Sequence, residues 1–335
     1  MRNTLIILIA TASLATAASA QSSTEARERA REQAQERADR ARERAQERAD
    51  RDRDRAQERA DRERAGSLDT VVTFDARGAV EVTCRGGTII VTGTERNEIR
   101  VRARTDNGAI RFTSNGTRAT LEPASGRGCS DGQFEVSVPA GTKVSARTWS
   151  GAASVRGVHG DVEVHSQSGD VQVRDAGDRL DIESLSGDVT VNGVRGESTI
   201  NTVSGSVTLT GSRGNLNIES VSGDLDLRDI VARQIRTHTT SGDVSFTGAI
   251  LDAGRYEFAT HSGEITLSLP ADIGAELSVS TFSGGIDSDF PITLKAGEHG
   301  IGAAQAKRLN FMVGRGTARI IAETFSGDIN LKRRR

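Results

Sequence analysis

A Ser-Gly pair that recurs at a nearly fixed interval constrains this chain more than any other feature. Ser150-Gly151, Ser168-Gly169, Ser186-Gly187, Ser204-Gly205 and Ser222-Gly223 stand 18 residues apart. Ser241-Gly242 follows after 19, Ser262-Gly263 and Ser283-Gly284 after 21 each, and Ser326-Gly327 after 43. The last gap holds Pro291 and a glycine-rich stretch around Gly297 to Gly302, which reads as an insertion. After most pairs comes a small or acidic residue and then apolar-x-apolar, as in Asp188-Val189-Thr190-Val191. A second short run such as Leu180-Asp181-Ile182 falls about half a repeat away. Period-two runs bounded by Gly and Asp read as strands. Each repeat is thus expected to be a coil of two short strands and two turns.

Such a coil cannot stand alone. It buries about four aliphatic side chains, worth roughly 1.5–3 kcal/mol each. Ordering 18 residues costs about 1–2 kcal/mol apiece in backbone entropy. Coils must therefore stack, about 4.8 Å apart, with ladder hydrogen bonds between them. The expected fold is all-β, a single-stranded parallel β-solenoid, with right-handed winding favoured by the crossover rule. A hydroxyl residue stands two before each Ser-Gly serine: Thr148, Ser166, Ser184, Thr202, Ser220, Thr239, Thr260, Thr281 and Thr324. Alternation from Leu180 and Ile182 turns Ser184 inward, so the hydroxyls should form a buried ladder bonded to neighbours or turn carbonyls. The glycine supplies a positive φ at the corner.

The chain starts differently. Arg2, the apolar Leu5–Ile9 run and Ala18-Ser19-Ala20 read as a secretory signal peptide over residues 1–20. No later segment is apolar enough for a spanning helix, so the mature chain is expected to lack an integral membrane segment. Residues 21–66 are Arg, Glu, Asp, Ala and Gln almost throughout. Ala34-Gln35-Glu36-Arg37-Ala38-Asp39-Arg40 returns at Ala45 and Ala56, a period of 11. With Glu36/Arg40, Glu47/Arg51 and Glu58/Arg62 at i,i+4, the stretch reads as a charged helix. It would serve as a spacer or a weak coiled coil, with a partly disordered polyampholyte as the alternative. Residues 67–145 hold irregular strands suited to a cap, and 146–335 the regular coils.

Several residue columns are candidate sites. The turn acids Asp170, Asp188, Asp224, Asp243, Glu264 and Asp328 invite comparison with cation-binding rolls and with glycosidase carboxylate pairs. Ala152, Ser206 and Gly285 interrupt the column, and an evenly spaced ladder of acids gives no catalytic specificity. No catalytic residue, metal or cofactor is expected. His159, His165, His238, His261 and His299 read as surface or corner residues. The net charge of −2 gives no drive toward nucleic acid. Cys84 and Cys129 are disulfide candidates in an oxidising compartment. The residue before each Ser-Gly serine includes Trp149, Leu185, Val203, Val221, Phe282 and Phe325. Outward, that column would be a partner-facing stripe. Folded into the corner, it would be core, and core is the reading expected here.

Phe134-Glu135-Val136-Ser137-Val138-Pro139-Ala140-Gly141-Thr142 leads into Thr148-Trp149-Ser150-Gly151, and Phe325-Ser326-Gly327-Asp328-Ile329 closes the repeats. With the S-G-D-V runs and Leu267-Ser268-Leu269-Pro270, residues 70 to 335 resemble the bacterial putative-adhesin family of β-strand-repeat proteins, a domain of unknown function. The resemblance implies a β-solenoid at the cell envelope and supplies no catalytic residues. The expected role is an exported, non-catalytic structural, adhesin-like or protein-binding module of the periplasm or cell surface. Its partner would be an envelope protein or a surface polysaccharide. The alternatives are a polysaccharide-active β-helix enzyme and an envelope-stress or assembly factor.

Overall fold

The computed structural model describes residues 66–106, 108–124, 132–291 and 307–334, together with residues 42, 44, 46–49 and 51. Those last few residues are helical and exposed, and Arg51 donates to Glu47 at 3.0 Å. The leader and the rest of 21–66 lie outside the described residues. One short helical stretch is what the structure supports, not a helix along the whole charged segment.

Residues 64–335 form one compact unit. The coil after Gly177 shows how it is built. Arg179–Ser186 forms one strand, Gly187-Asp188 turns the corner, and Val189–Val194 forms the second. Leu180, Ile182, Val189, Val191 and Val194 all point inward and are at most 1% exposed. Successive coils repeat this in parallel register, Leu180 opposite Ser198 and Val162, and Val189 opposite Val171 and Val207. Two parallel sheets therefore enclose one continuous apolar core. Burying β-branched and leucine side chains from both sheets supplies what a single coil lacks.

Stack order departs from chain order at both ends. Ala318–Ser326 lies between Val244–Ser262 and Ala275–Ser283, parallel to both. Ile329–Arg334 likewise lies between Ile265–Pro270 and Ile286–Ser288. The last coil of the chain is thus the second-to-last rung of the stack. At the other end, Ala79–Thr94 pairs with Arg118–Pro123 and Gly132–Pro139 on one side and with Lys143–Ser150 and Ala153–Arg156 on the other. The sequential stacking implied by the repeat spacing holds only for the middle coils. The expected insertion around Gly297 to Gly302 lies outside the described residues. Among the described residues, antiparallel strands occur only near the ends. Glu98–Thr105 covers Gly132–Pro139 and is itself covered by Gly66–Thr73, while Ile110–Ser114 pairs with Arg118–Pro123 and Lys307–Val313 with Ala275–Ser283. They shield ladder edges that would otherwise template aggregation.

The two corners impose different chemistry. At the Ser-Gly corner, Gly205 has φ +118°, and a Cβ there would stand 2.2 Å from the Gly187 carbonyl oxygen of the coil below. Its N–H donates to the Ser222 carbonyl of the coil above. Backbone angle and backbone approach both demand glycine. The opposite corner holds a second positive-φ column, Gly157, Asp175, Gly193, Gly211 and Asp229, at φ +52° to +72°. No atom lies within 4 Å of a Cβ placed on Gly211. This is the left-handed region that aspartate tolerates, so either residue serves.

The hydroxyl column is buried throughout, none more than 6% exposed. Its partners are corner carbonyls rather than other hydroxyls. Thr260 donates to Gly242 O (3.2 Å), Thr324 to Gly263 O (3.2 Å) and Thr281 to Gly327 O (3.0 Å). Thr148, Ser184 and Ser220 have no hydroxyl partner among the described residues. In the coil below Thr148, the ladder position is filled by Cys84, fully buried and in register with Thr148. Cys129 lies outside the described residues, but in sequence it stands three before Gly132, as Cys84 stands three before Gly87, and those glycines are register partners. We propose that the two cysteines close this rung as a disulfide.

Two measurements check this account. Gly205→Ala should cost about 3 kcal/mol from strain and overpacking, whereas Gly211→Asp should cost about 1 kcal/mol or less, read as denaturant-midpoint shifts. Equal effects at the two corners would refute the distinction. The oxidised chain should show no alkylatable thiol without denaturant and reductant, and Cys129→Ser should lower stability by about 4 kcal/mol.

Candidate functional site

The turn acids are occupied by the fold. Asp188 Oδ1 accepts from the Ser206 N–H (2.9 Å), Asp224 from Asp243 N–H (2.9 Å) and Asp243 from Glu264 N–H (2.8 Å). Asp170 and Asp328 do the same for Asp188 and Gly285. Each carboxylate caps the coil stacked above it. Gly285 belongs to the outermost rung among the described residues, with no described coil above it to cap, which fits its missing acid. The acids are therefore backbone partners at an exposed corner, more engaged than freely solvated turn residues. Among the described residues, no cluster of three or more His, Cys, Asp or Glu is placed to hold a metal.

The apolar column corrects an expectation. It is surface, not core: Trp149 is 46% exposed, Leu185 48%, Val203 45%, Val221 51%, Phe325 49% and Phe282 53%. Strand alternation is the reason. The hydroxyl residue points in, so its successor points out. Stacking turns the column into a continuous stripe. Arg85 lies over the Trp149 ring at 5.6 Å, and His261, Phe325 and Phe282 stack face to face with centroids 4.8 Å apart. That spacing is the rung repeat, which sets flat rings on successive coils in parallel contact.

A second outward column lies two residues before the stripe. In rung order it begins Arg147, His165, Glu183, Asn201, Glu219 and His238. Between this polar row and the apolar stripe runs a groove of ≈ 650 Å³, floored by hydroxyls such as Ser184 and Thr202. A second groove of ≈ 670 Å³ continues past His238 to Phe325 and Phe282. The groove thus has one largely apolar wall and one polar wall of mixed charge. Sequence reading missed the polar row because its residues share no chemistry; only the parity of the strand marks it.

One part of that row is tightly coupled. His165 Nδ1 lies 2.9 Å from Glu183 Oε2, and Nε2 lies 2.5 Å from Glu163 Oε1. Arg147 bridges Glu81 and Glu163 beside it. Partial burial works to lower the His165 pKa, but the bonds to Glu163 and Glu183 outweigh it and raise the value above 6.5. The hydrogen bond from His165 lowers Glu163 below 4.5 against its own partial burial. His159 and His238 are exposed, and His299 lies outside the described residues.

Together these features define a two-faced parallel β-solenoid whose exposed surface carries an apolar stripe beside a charged row. Among the described residues no helix is long and apolar enough to cross a membrane. The chain belongs to the Toastrack DUF4097 family, whose sequence model matches residues 69–332. A search of curated proteins found no match. Similar solved structures include a putative lipid binding protein from Parabacteroides distasonis, 9% identical, TM-score 0.43, covering 81% of this chain and 97% of that one. A putative adhesin from the same organism is 8% identical with TM-score 0.41, covering 78% and 96%. A putative adhesin from Bacteroides fragilis is 9% identical with TM-score 0.38, covering 80% and 97%.

The His165–Glu163 pair makes stability pH-dependent. A raised histidine pKa contributes stability that is complete below the ordinary value of 6.5 and is lost as pH rises through the raised value. A lowered glutamate pKa contributes stability present above 4.5 and lost as pH falls through the lowered value. Both contributions are present near pH 5.5, midway between those ordinary values. His165→Asn should therefore destabilise most near that pH and least in the alkaline range. A stability difference independent of pH would contradict the coupling.

Proposed function

We propose that this chain is an exported, non-catalytic interaction module of the cell envelope, adhesin-like in presenting a rigid face to an envelope protein or a surface polysaccharide. The observation that carries this reading is the exposed stripe itself. Six large apolar side chains from Trp149 to Phe282 lie in one column, each about half exposed. Leu185, Val203 and Val221 are adjacent along it, as are Phe325 and Phe282, and exposed apolar clusters of that kind mark an interaction site in an ordinary protein. The solenoid holds each side chain by a strand at fixed spacing, so little order is lost on binding.

The carboxylates of the Ser-Gly corner column favour binding over glycoside hydrolysis. Asp170, Asp188, Asp224, Asp243 and Asp328 accept backbone N–H bonds from the next coil, so they hold the stack together at a corner instead of facing one another across a substrate groove as a glycosidase pair does. The apolar leader-like run at Leu5–Ile9, followed by Ala18-Ser19-Ala20, supports export.

Co-sedimentation with isolated envelope fragments tests the reading. The full chain should pellet with the fragments, and Leu185→Ser/Val221→Ser should weaken retention about tenfold, since two half-exposed side chains lose on the order of 1.4 kcal/mol. Arg174→Ser, on the other sheet, should change nothing. Equal retention of all three proteins would reject the stripe as the interaction face. Polysaccharide turnover abolished by Glu183→Gln would reject the non-catalytic role.

A further inference from the structure

Stack order fixes the order of side chains along the stripe and along the polar row. Take the point midway between the Val203 and Val221 rungs. Stepping outward by equal numbers of rungs pairs Val203 with Val221, Leu185 with Thr240, Gln167 with His261, Trp149 with Phe325 and Arg85 with Phe282. About the same point, the polar row pairs Asn201 with Glu219, Glu183 with His238, His165 with Ala259 and Arg147 with Glu323. About this one centre most charged and aromatic positions are complementary, while Leu185 with Thr240, Gln167 with His261 and His165 with Ala259 neither clash nor match. Aromatic meets aromatic, cation meets ring, valine meets valine, arginine meets glutamate, and no like charges coincide in either column.

We propose that a second copy of this chain docks on the stripe face, antiparallel, about a twofold axis between the Val203 and Val221 rungs. This rests on the reading of the stripe as an interaction face and goes beyond it: the second copy covers the same face, so an envelope partner binds there only by displacing that copy. A twofold axis lying in the interface and perpendicular to the stack sets stripe over stripe and polar row over polar row, with direction reversed. A twofold along the stack would instead lay the stripe on the charges. Arg85, already over Trp149 at 5.6 Å, meets the partner's Phe282 with its remaining face. One column further out, Asp181 meets Arg236 and Thr199 meets Asn217. The single like-charge meeting there is Glu163 with Glu257, and each is paired within its own chain, to His165 and to Arg236 and Arg255.

The dimensions suffice. Ten rungs span about 43 Å and a seven-residue strand about 23 Å, giving on the order of 1,000 Å² per partner against the ~800 Å² of a standard interface. A bilayer or an acyl chain is the poorer occupant, because it would strip water from Glu219 without pairing it and from Glu183 outside its one bond to His165. A second copy supplies His238 and Asn201 at those positions.

Light scattering of the full chain over a range of micromolar concentrations should give twice the chain mass of 35.6 kDa. Emission of Trp149, the only tryptophan, should shift to the blue as the dimer forms. Val203→Glu/Val221→Glu places like charges across the axis and should yield monomer. Val203→Glu/Val221→Arg places opposite charges there and should restore the dimer, which separates loss of contact from loss of folding. Trp149→Cys/Phe325→Cys should form an intermolecular disulfide, and Trp149→Cys alone should not. In one chain those positions are seven rungs, about 34 Å, apart.

A monomer at every concentration overturns the proposal. So does equal cross-linking by Trp149→Cys alone, which would mean parallel docking. A monomer whose Trp149 emission shifts with phosphatidylglycerol vesicles also overturns it and assigns the stripe to lipid. If the chain is monomeric but Leu185→Ser/Val221→Ser still loses envelope retention, the interaction face stands and only the second copy is rejected. If stripe substitutions alter neither readout, both readings fail.

Discussion

At the Ser-Gly corner, each coil lays its glycine directly on the glycine of the coil beneath. The approach is close enough that any Cβ would strike a carbonyl oxygen, as at Gly205 over Gly187. The remaining order follows from that contact. It sets the height of one coil above another and brings each glycine N–H to the next serine carbonyl. It leaves the hydroxyl two residues earlier facing a corner carbonyl, and it puts the turn carboxylate within reach of the backbone N–H above. Hydrophobic burial provides most of the free energy and forbids a one-residue slip, which would turn every inward side chain outward, but a slip of two residues keeps that parity. The glycine stack supplies the register.

What the sequence reveals follows from how narrowly each position is constrained. The Ser-Gly column tolerates one residue type and can be read at sight. The buried hydroxyl column holds serine or threonine, with Cys84 in their place on one rung, and is nearly as plain. The opposite corner needs a left-handed backbone but leaves open space beside it. It therefore alternates between Gly193 and Asp175 and carries no visible motif. Stack order at the ends is equally hidden, because Ser326-Gly327-Asp328 is as good a rung as any other and nothing in it records which neighbours it will have.

The candidate site was half legible for a related reason. Apolar character drew the eye to Trp149, Leu185 and Phe282, and the same character argued wrongly for burial. The parity that turns Ser184 inward already turns Leu185 outward, and that geometric signal outweighs composition. The polar wall of the groove has no composition to notice. Arg147, His165, Glu183 and Asn201 become a row only once the strands are set in register. The coupling of His165 to two glutamates on different strands is likewise a property of the stack.

The placement of the final coil inside the stack bears on how the molecule comes into being. Ala318–Arg334 sits between coils that precede it in the chain. A chain that folds from its N-terminal side can build its middle rungs one after another. The outermost rung at Ala275–Ser288 must wait, because its stack neighbour Ala318–Arg334 comes later in the chain. Completion therefore waits for Ala318–Arg334, and a chain cut before Ala318 would leave an open slot rather than a shorter solenoid. Tension applied at the C-terminus would likewise load an interior rung held on both sides, so the array resists being peeled from that end.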